Sequence, residues 1–142
     1  MNDLRQQAIR LLARRDHTRA ELARKLAAHG TAEEIDAVIN ELSRSGLQSD
    51  VRFAENYVRS QAARLGAARL QQSLRLKGIA GSLIADQIDS LPDEIGRARG
   101  IWQKKFATPP VDAREWARQA RFLQGRGFSA DVIRKLLKEI EE

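Results

Sequence analysis

The chain has 142 residues, of which 42% are hydrophobic, 31% charged and only 5% aromatic, and its formal net charge is +6. This length fits one domain of the usual size, about 100–200 residues, and the positive charge favours acidic or polyanionic partners, nucleic acid among them. The absence of cysteine excludes disulfide bonds and thiol catalysis, and the longest uncharged run, residues 78–85, is far shorter than the roughly 18 apolar residues of a membrane span. No apolar stretch follows a basic segment at the start of the sequence, so we expect a cytoplasmic protein without a signal peptide.

The first 46 residues have the pattern of three short helices. Thr18 with Glu21, and Thr31 with Glu34, have the spacing of a capping box, in which the two side chains satisfy each other's backbone N–H groups at the start of a helix. Gly46 supplies the residue type that most often follows the end of a helix.

Two further groups of three helices follow. We expect Asp50 to cap the fourth helix, Gly66 to break it, and Pro92 to occupy the first turn of the seventh. Asp112 and Ser129 are placed to cap the last two helices. Helical periodicity therefore covers almost the whole chain, and the alternation that is typical of strands is almost absent.

A basic residue followed by glycine recurs three times, with the glycines 48 and 49 residues apart, at His29-Gly30, Lys77-Gly78 and Arg126-Gly127. At an offset of 49 residues, Leu74 aligns with Leu123, and the aromatic pair Phe53/Tyr57 with Trp102/Phe106. Self-similarity at a fixed spacing of this size is the mark of a repeat protein.

We therefore predict an all-α fold of three tandem three-helix repeats in an elongated, gently curved molecule, with modules at residues 1–48, 49–91 and 92–142. Each module is too small to be strongly stable alone, so neighbouring modules must share buried surface. The alternative is a single irregular helical bundle.

Residues that could perform catalysis do not come together in this sequence. The only histidines, His17 and His29, lie on separate segments without carboxylates at metal-ligand spacing, and no known phosphate-binding or nucleophile motif is present. We interpret His29 as a residue at a helix end, where a cation interacts favourably with the negative end of the helix dipole. The sequence predicts no enzyme activity, no cofactor and no metal site.

Charge is distributed unevenly along the chain. Residues 56–85 contain no acid but five cations, and cations also outnumber acids between Asp3 and Asp16 and between Glu94 and Asp112. The first two helices of each module are thus basic, whereas the third is acidic or mixed. Such side chains could form a positive surface that follows phosphates or an acidic protein groove. The ordinary alternative is that they are the solvated faces of amphipathic helices.

The aromatic residues allow two interpretations. If they were exposed, Phe53, Tyr57, Trp102, Phe106 and Trp116 could stack on nucleic-acid bases. Their position on apolar helix stripes favours packing in the core instead.

The sequence resembles the RecX family, the bacterial regulators of the RecA recombinase. The resemblance is strongest in the segment DVRFAENYVR at 50–59, continues through RLGAAR at 64–69 and LRLKGI at 74–79, and recurs in RFLQGRGFS at 121–129. The first module, with LLARRDHTRAEL at 11–22, also has the typical pattern, so the resemblance covers nearly the whole chain.

This resemblance implies binding to the RecA filament on single-stranded DNA and inhibition of the ATPase, strand-exchange and coprotease activities of RecA. It also implies weak direct DNA binding, and we expect a monomer with no membrane association. Together with the charge pattern, it predicts that a basic ridge forms the partner or DNA contact, made of Arg14, Arg15, Arg59, Arg64, Arg69, Arg75, Lys77, Arg118, Arg121 and Arg126. The alternative is a DNA-binding helical module that acts only by competing for DNA.

Overall fold

Nine α-helices and no β-strand account for the regular structure of the computed structural model, which describes residues 3–142. The helices are α1 (Asp3–Arg14), α2 (Arg19–Leu26), α3 (Ala32–Arg44), α4 (Asp50–Gln61), α5 (Ala67–Leu76), α6 (Gly81–Asp89), α7 (Glu94–Lys105), α8 (Ala113–Gly125) and α9 (Ala130–Glu141). The prediction of an all-α fold is confirmed.

Four helix starts that were predicted from local sequence, those of α2, α3, α8 and α9, are capped as expected, whereas Pro92 lies outside the first turn of α7, whose capping residue is Asp93. Thr18 and Glu21 form a capping box at α2, and Thr31 and Glu34 form another at α3. The Thr31 backbone N–H donates to the Glu34 carboxylate, and this bond lowers the pKa of Glu34. The side chain of Asp112 caps α8 in a similar way, as Ser129 does for α9.

The prediction that Asp50 caps α4 is wrong. The Ser49 hydroxyl accepts the Arg52 N–H at 3.1 Å, which makes Ser49 the capping residue. The Asp50 carboxylate instead accepts the backbone N–H of Arg19 at 2.8 Å, so it satisfies the first turn of α2, a helix far from it in sequence.

The chain divides into two compact units, each with its own hydrophobic core. Of the described residues, the first unit holds 3–56 and 74–84, and the second holds 57–73 and 85–142. The first core contains Leu4, Ala8, Leu22, Leu26, Ile35, Ile39 and Leu42. The second contains Ala98, Ile101, Trp102, Leu123, Phe128, Ile133, Leu136 and Leu137, with Phe106 and Trp116 packed against it. Trp102, Phe106 and Trp116 therefore serve packing, as their apolar stripes indicated.

In the first unit, the turn after α5 packs against the start of α2. The Thr18 hydroxyl donates to the Lys77 carbonyl at 2.6 Å. Gly78 has a φ of +84°, and a Cβ atom added to it would lie 2.4 Å from the Ala20 Cβ. Arg52 completes this contact region by donating to the Asp16 carboxylate and to two carbonyls in the turn after α3.

The second unit repeats this construction with different residues. The turn after α8 packs against the start of α5, where the Gly66 N–H donates to the Arg126 carbonyl at 2.7 Å and the Ala68 N–H to the Gly127 carbonyl at 3.2 Å. Glu94 accepts the Ala67 N–H, the role that Asp50 has in the first unit. Arg97 donates to the carbonyls of residues 62 and 65, as Arg52 does to those of 46 and 47. The recurrence of the basic-glycine junction at 78 and 127 therefore reflects two turns that pack on a helix start.

His17 is buried in the first unit as a neutral ring. It is 2% exposed, with Nδ1 3.0 Å from the Arg15 carbonyl and Nε2 3.2 Å from the Lys25 amine. A ring protonated only at Nδ1 donates to the carbonyl and accepts from the lysine. Burial lowers the pKa of His17 below its ordinary value of 6.5, and the neighbouring Arg15 and Lys25 charges act in the same direction.

We expect His17 to make the protein less stable as the solution becomes acidic. A base whose pKa is lower in the folded state binds its proton more readily when unfolded, so its stabilisation is complete above pH 6.5 and is lost as the pH falls through the folded-state pKa. Urea unfolding at pH 7.5 and pH 5 measures the loss. In His17→Gln the loss should be smaller, and an equal loss in both proteins would contradict this role.

Ala107, just after α7, is the one non-glycine residue with a positive φ, 61°, in the described part of the chain. The left-handed conformation costs an L-residue roughly 1–2 kcal/mol, and glycine adopts it without this cost. We expect Ala107→Gly to raise the unfolding free energy by about 0.5–1 kcal/mol, measured by thermal unfolding. Ala85→Gly, in the interior of α6, is the control and should lower it by about 1 kcal/mol. A loss of stability in both variants would contradict strain at Ala107.

Candidate binding site

The second unit contains a cleft whose polar side chains are all cationic. Its walls are the end of α7, the second half of α8 and the turn after α4, and it encloses about 300 Å³. We call this the α7–α8 cleft. It is lined by the cations Arg64, Lys104, Lys105 and Arg126 and by the apolar residues Ala63, Ile101 and Phe122.

Two of the four cations of the α7–α8 cleft lie against the Phe122 ring, and one of these also donates to a carbonyl. The Arg126 guanidinium lies 5.0 Å from the centre of the Phe122 ring and 3.5 Å from the Arg64 carbonyl. The Lys105 amine lies 5.4 Å from the centre of the same ring. None of the four cations has a carboxylate within 4.0 Å in residues 3–142. Their charge is therefore available to an anionic partner.

The first unit has a comparable cleft between its first two helices. The α1–α2 cleft encloses about 250 Å³, and its charged or titratable lining residues are Arg10, Arg14, Lys25 and His29. Among the residues that the structure describes, no acidic side chain lines this cleft either. The same kind of surface thus occurs at α1 and α2 in the first unit and at α7 and α8 in the second, in stretches where cations outnumber acids in the sequence.

The structure brings two of the ten predicted site residues, Arg64 and Arg126, together in the α7–α8 cleft. Arg14 lines the other cleft. The Arg69 guanidinium donates to the Gly125 carbonyl at 2.8 Å, so Arg69 lies beside the end of α8, next to the residue that precedes Arg126. Arg59, Arg75 and Arg121 are exposed.

The remaining predicted cations are engaged locally. Arg118 donates twice to the Glu115 carboxylate, which raises the pKa of Arg118 and lowers that of Glu115. Arg15 donates to the Asp16 carbonyl and lies 3.4 Å from Glu21. Lys77 is half-buried, and its backbone carbonyl takes part in the packing on α2. Arg118 and Arg15 therefore offer less uncompensated charge than Arg64 or Arg126.

Sequence reasoning did not assign Lys104 and Lys105 to the site. The signal was present, because both lie in the interval between Glu94 and Asp112 where cations outnumber acids. His29, interpreted as a residue at a helix end, also lines a cleft. In the part of the chain that the structure describes, no group of three or more His, Asp or Glu side chains could hold a metal ion, and no helix is long and apolar enough to cross a membrane.

Three family models match this chain, one after another. They are described as the first, second and third three-helix domains of RecX, and they match residues 5–42, 49–86 and 93–137. The regulatory protein RecX of Leptothrix cholodnii is 47% identical over 137 residues, which cover 95% of this chain and 87% of that protein. The chain belongs to the RecX family. The resemblance found in the sequence is confirmed.

Other RecX proteins agree in sequence and in fold. The regulatory protein RecX of Chromobacterium violaceum is 44% identical, over 94% of this chain and 88% of that protein. The crystal structure of RecX from Lactobacillus salivarius matches with a TM-score of 0.87 at 23% identity, covering 99% of this chain and 96% of that one. A second RecX crystal structure matches with a TM-score of 0.76 at 22% identity, over 96% and 74% of the two chains. The nine-helix fold is thus the RecX fold, and the relatives are named as regulatory proteins.

Proposed function

We propose that this chain binds the RecA nucleoprotein filament on single-stranded DNA and inhibits the ATPase, strand-exchange and coprotease activities of RecA. Family membership over nearly the whole chain is the observation that carries the proposal. The acid-free clefts add a physical means of binding, because uncompensated cations attract an anionic surface and speed encounter with it.

Several modest contacts would suffice for tight binding. A filament presents the same surface at every subunit, so once one basic cluster is bound, the others meet their sites at a high effective concentration. We propose that the contact is made by cations of the predicted ridge, in particular those with no carboxylate within 4.0 Å in residues 3–142, such as Arg64, Arg75 and Arg121.

The first test follows the DNA-dependent ATP hydrolysis of RecA with this protein added before or after filament assembly. We expect hydrolysis to fall in at least one order of addition. Inhibition of growing filaments alone would indicate capping of the filament end, and inhibition of mature filaments would indicate binding in the groove. Unchanged hydrolysis in both orders would contradict the proposal.

The second test reverses charge at the proposed contact. The triple variant Arg64→Glu, Arg75→Glu, Arg121→Glu should inhibit RecA at least about tenfold less strongly at physiological salt, because like charges in an interface are costly. The control Arg24→Glu, Arg44→Glu, Lys138→Glu makes the same change in net charge at exposed positions outside the predicted ridge. Circular dichroism should show unchanged helicity in both variants. Equal inhibition by the two triple variants would contradict the ridge.

A competing candidate is a DNA-binding module that affects RecA only by occupying DNA. The cationic clefts support this candidate as well, because the phosphates of DNA are anions. It predicts binding to naked single-stranded DNA with log affinity falling by roughly 0.7 per log unit of salt for each phosphate neutralised, and no association with RecA in the absence of DNA. Measuring both quantities with the wild-type protein decides between the two candidates.

A further inference from the structure

We infer that the α7–α8 cleft binds an acidic protein segment in which carboxylates flank an apolar side chain. This inference rests on the proposed function and deepens it by naming the chemistry of the partner. The cleft has two properties that suit such a segment, an apolar floor and a rim of uncompensated cations.

We call the apolar lining residues Ala63, Ile101 and Phe122 the floor of the cleft, and its cations the rim. Ile101 is 7% exposed and belongs to the core, so the floor is a fixed part of the second unit. Phe122 is held in turn by Phe106, whose ring meets it edge to face at a centre-to-centre distance of 5.4 Å. An apolar side chain entering the cleft would lose water against a surface that is already in place, which favours binding.

The rim carries four cations, on three different segments of the chain. Lys104 and Lys105 end α7, Arg64 lies in the turn after α4, and Arg126 follows α8. Arginine and lysine form charge-assisted hydrogen bonds with carboxylates, and these bonds are stronger than those between neutral groups. Carboxylates on either side of the inserted apolar residue could therefore reach cations from different segments.

The geometry favours a protein segment over single-stranded nucleic acid. Proteins that bind single strands without sequence preference combine cations with aromatic faces on which bases stack. Phe122 is the only aromatic residue that lines the α7–α8 cleft, and two cations, Lys105 and Arg126, already lie over its ring. A base that stacked on the ring would therefore compete with these two cations for it, whereas carboxylates can bind the cations where they lie.

The test uses a fluorescein-labelled synthetic peptide in which glutamate and leucine alternate, so that each inner leucine has a carboxylate on either side. Its binding to the full chain is measured by fluorescence anisotropy. We expect binding, and we expect Lys104→Gln with Lys105→Gln to weaken it at least about fivefold. The matched control, Lys135→Gln with Lys138→Gln, removes two exposed lysines from α9 of the same unit and should change the affinity less than twofold. Equal effects of the two double variants would overturn the inference.

Two further probes separate the contributions to binding. A peptide with serine in place of leucine should bind more weakly, because it cannot bury an apolar side chain against the floor, and one with glutamine in place of glutamate should not bind. An oligothymidylate of 20 nucleotides is the nucleic-acid probe. If it binds as tightly as the acidic peptide and loses as much affinity in the Lys104/Lys105 variant, the cleft is a nucleic-acid site and the inference is wrong.

The outcome can be separated from that of the proposed function. If the peptide binds as expected and the wild-type protein leaves RecA hydrolysis unchanged, the acidic-segment site stands and the RecA proposal fails. If RecA is inhibited equally by the wild type and the Lys104/Lys105 variant, and the peptide does not bind, the RecA proposal stands and the inference fails.

Discussion

Gly127→Ala is expected to lower the free energy of unfolding by about 3 kcal/mol. Gly127 has a φ of +100°, and a Cβ added there would lie 2.3 Å from the Arg69 Cβ and 2.7 Å from the Arg69 backbone nitrogen. The positive φ costs an L-residue roughly 1–2 kcal/mol, and overpacking adds about 1–3 kcal/mol. Relief of the overlap would move the turn away from α5 and break the backbone bonds of Gly66 and Ala68 to it. Urea unfolding followed by circular dichroism measures the loss.

Gly125→Ala is the matched control, two residues away in the same segment. A Cβ at Gly125 meets no atom within 4 Å, and the residue lies at the end of α8. Alanine should leave stability unchanged or raise it by up to about 1 kcal/mol, because it reduces the freedom of the unfolded chain. If Gly127→Ala were as stable as Gly125→Ala, the close packing of this turn on α5 would be contradicted.

The recurrence of glycine could be found in the sequence, but its physical reason could not. The spacing of the basic-glycine junctions indicated a repeat, and the basic residue was interpreted as a partner for a helix dipole. In the structure, Gly78 and Gly127 are needed because each turn touches a helix start that lies 58 or more residues away in the chain. Gly30 belongs to the same pattern but does not have a positive φ. Periodicity therefore identified the positions without separating the turns that need a positive φ from the one that does not.

Helix starts were predictable where the capping side chain lies within one turn of the backbone N–H from which it accepts a hydrogen bond. The Thr18 and Thr31 capping boxes depend on residues three apart, so the sequence contains the whole interaction. Asp50 was misassigned because its partner, the Arg19 N–H, lies 31 residues away, and local sequence offered a simpler role. The error came from an acid that stabilises the start of a different helix.

The charge pattern indicated the type of surface but not the residues that share it. The sequence showed that first and second helices are basic, and both clefts lie between such helices. Which cations meet depends on packing between distant segments, for example on Arg97, which donates to the carbonyls of residues 62 and 65 and so fixes the turn that carries Arg64. Arg118 and Arg126 were both assigned to the ridge, and the signal that separates them is Glu115, the acid three residues before Arg118 that pairs with it.

Gln119→Leu is expected to lower the free energy of unfolding by about 2–3 kcal/mol. Gln119 is 1% exposed, and its side-chain oxygen accepts the indole N–H of Trp102 at 2.7 Å. Its amide group donates to the Thr108 carbonyl at 3.0 Å and to Glu115 at 3.2 Å. Leucine would fill the space but leave the buried Trp102 N–H without an acceptor, which costs about 1–3 kcal/mol, and would release the loop after α7. Urea unfolding and the fluorescence of the tryptophans report the two effects.

Two controls separate hydrogen bonding from packing at this site. Gln124→Leu changes an exposed residue of the same helix and should alter stability by no more than about 0.5 kcal/mol. Gln119→Glu keeps an acceptor for Trp102 but removes the donor to Thr108 and places a second carboxylate beside Glu115, so it should restore the tryptophan emission of the wild type while remaining destabilised. If Gln119→Leu were as stable as the wild type, the hydrogen bonds of Gln119 to Trp102 and Thr108 would add no stability beyond that of an apolar side chain of similar size. The role of Gln119 in holding the loop after α7 would then be contradicted.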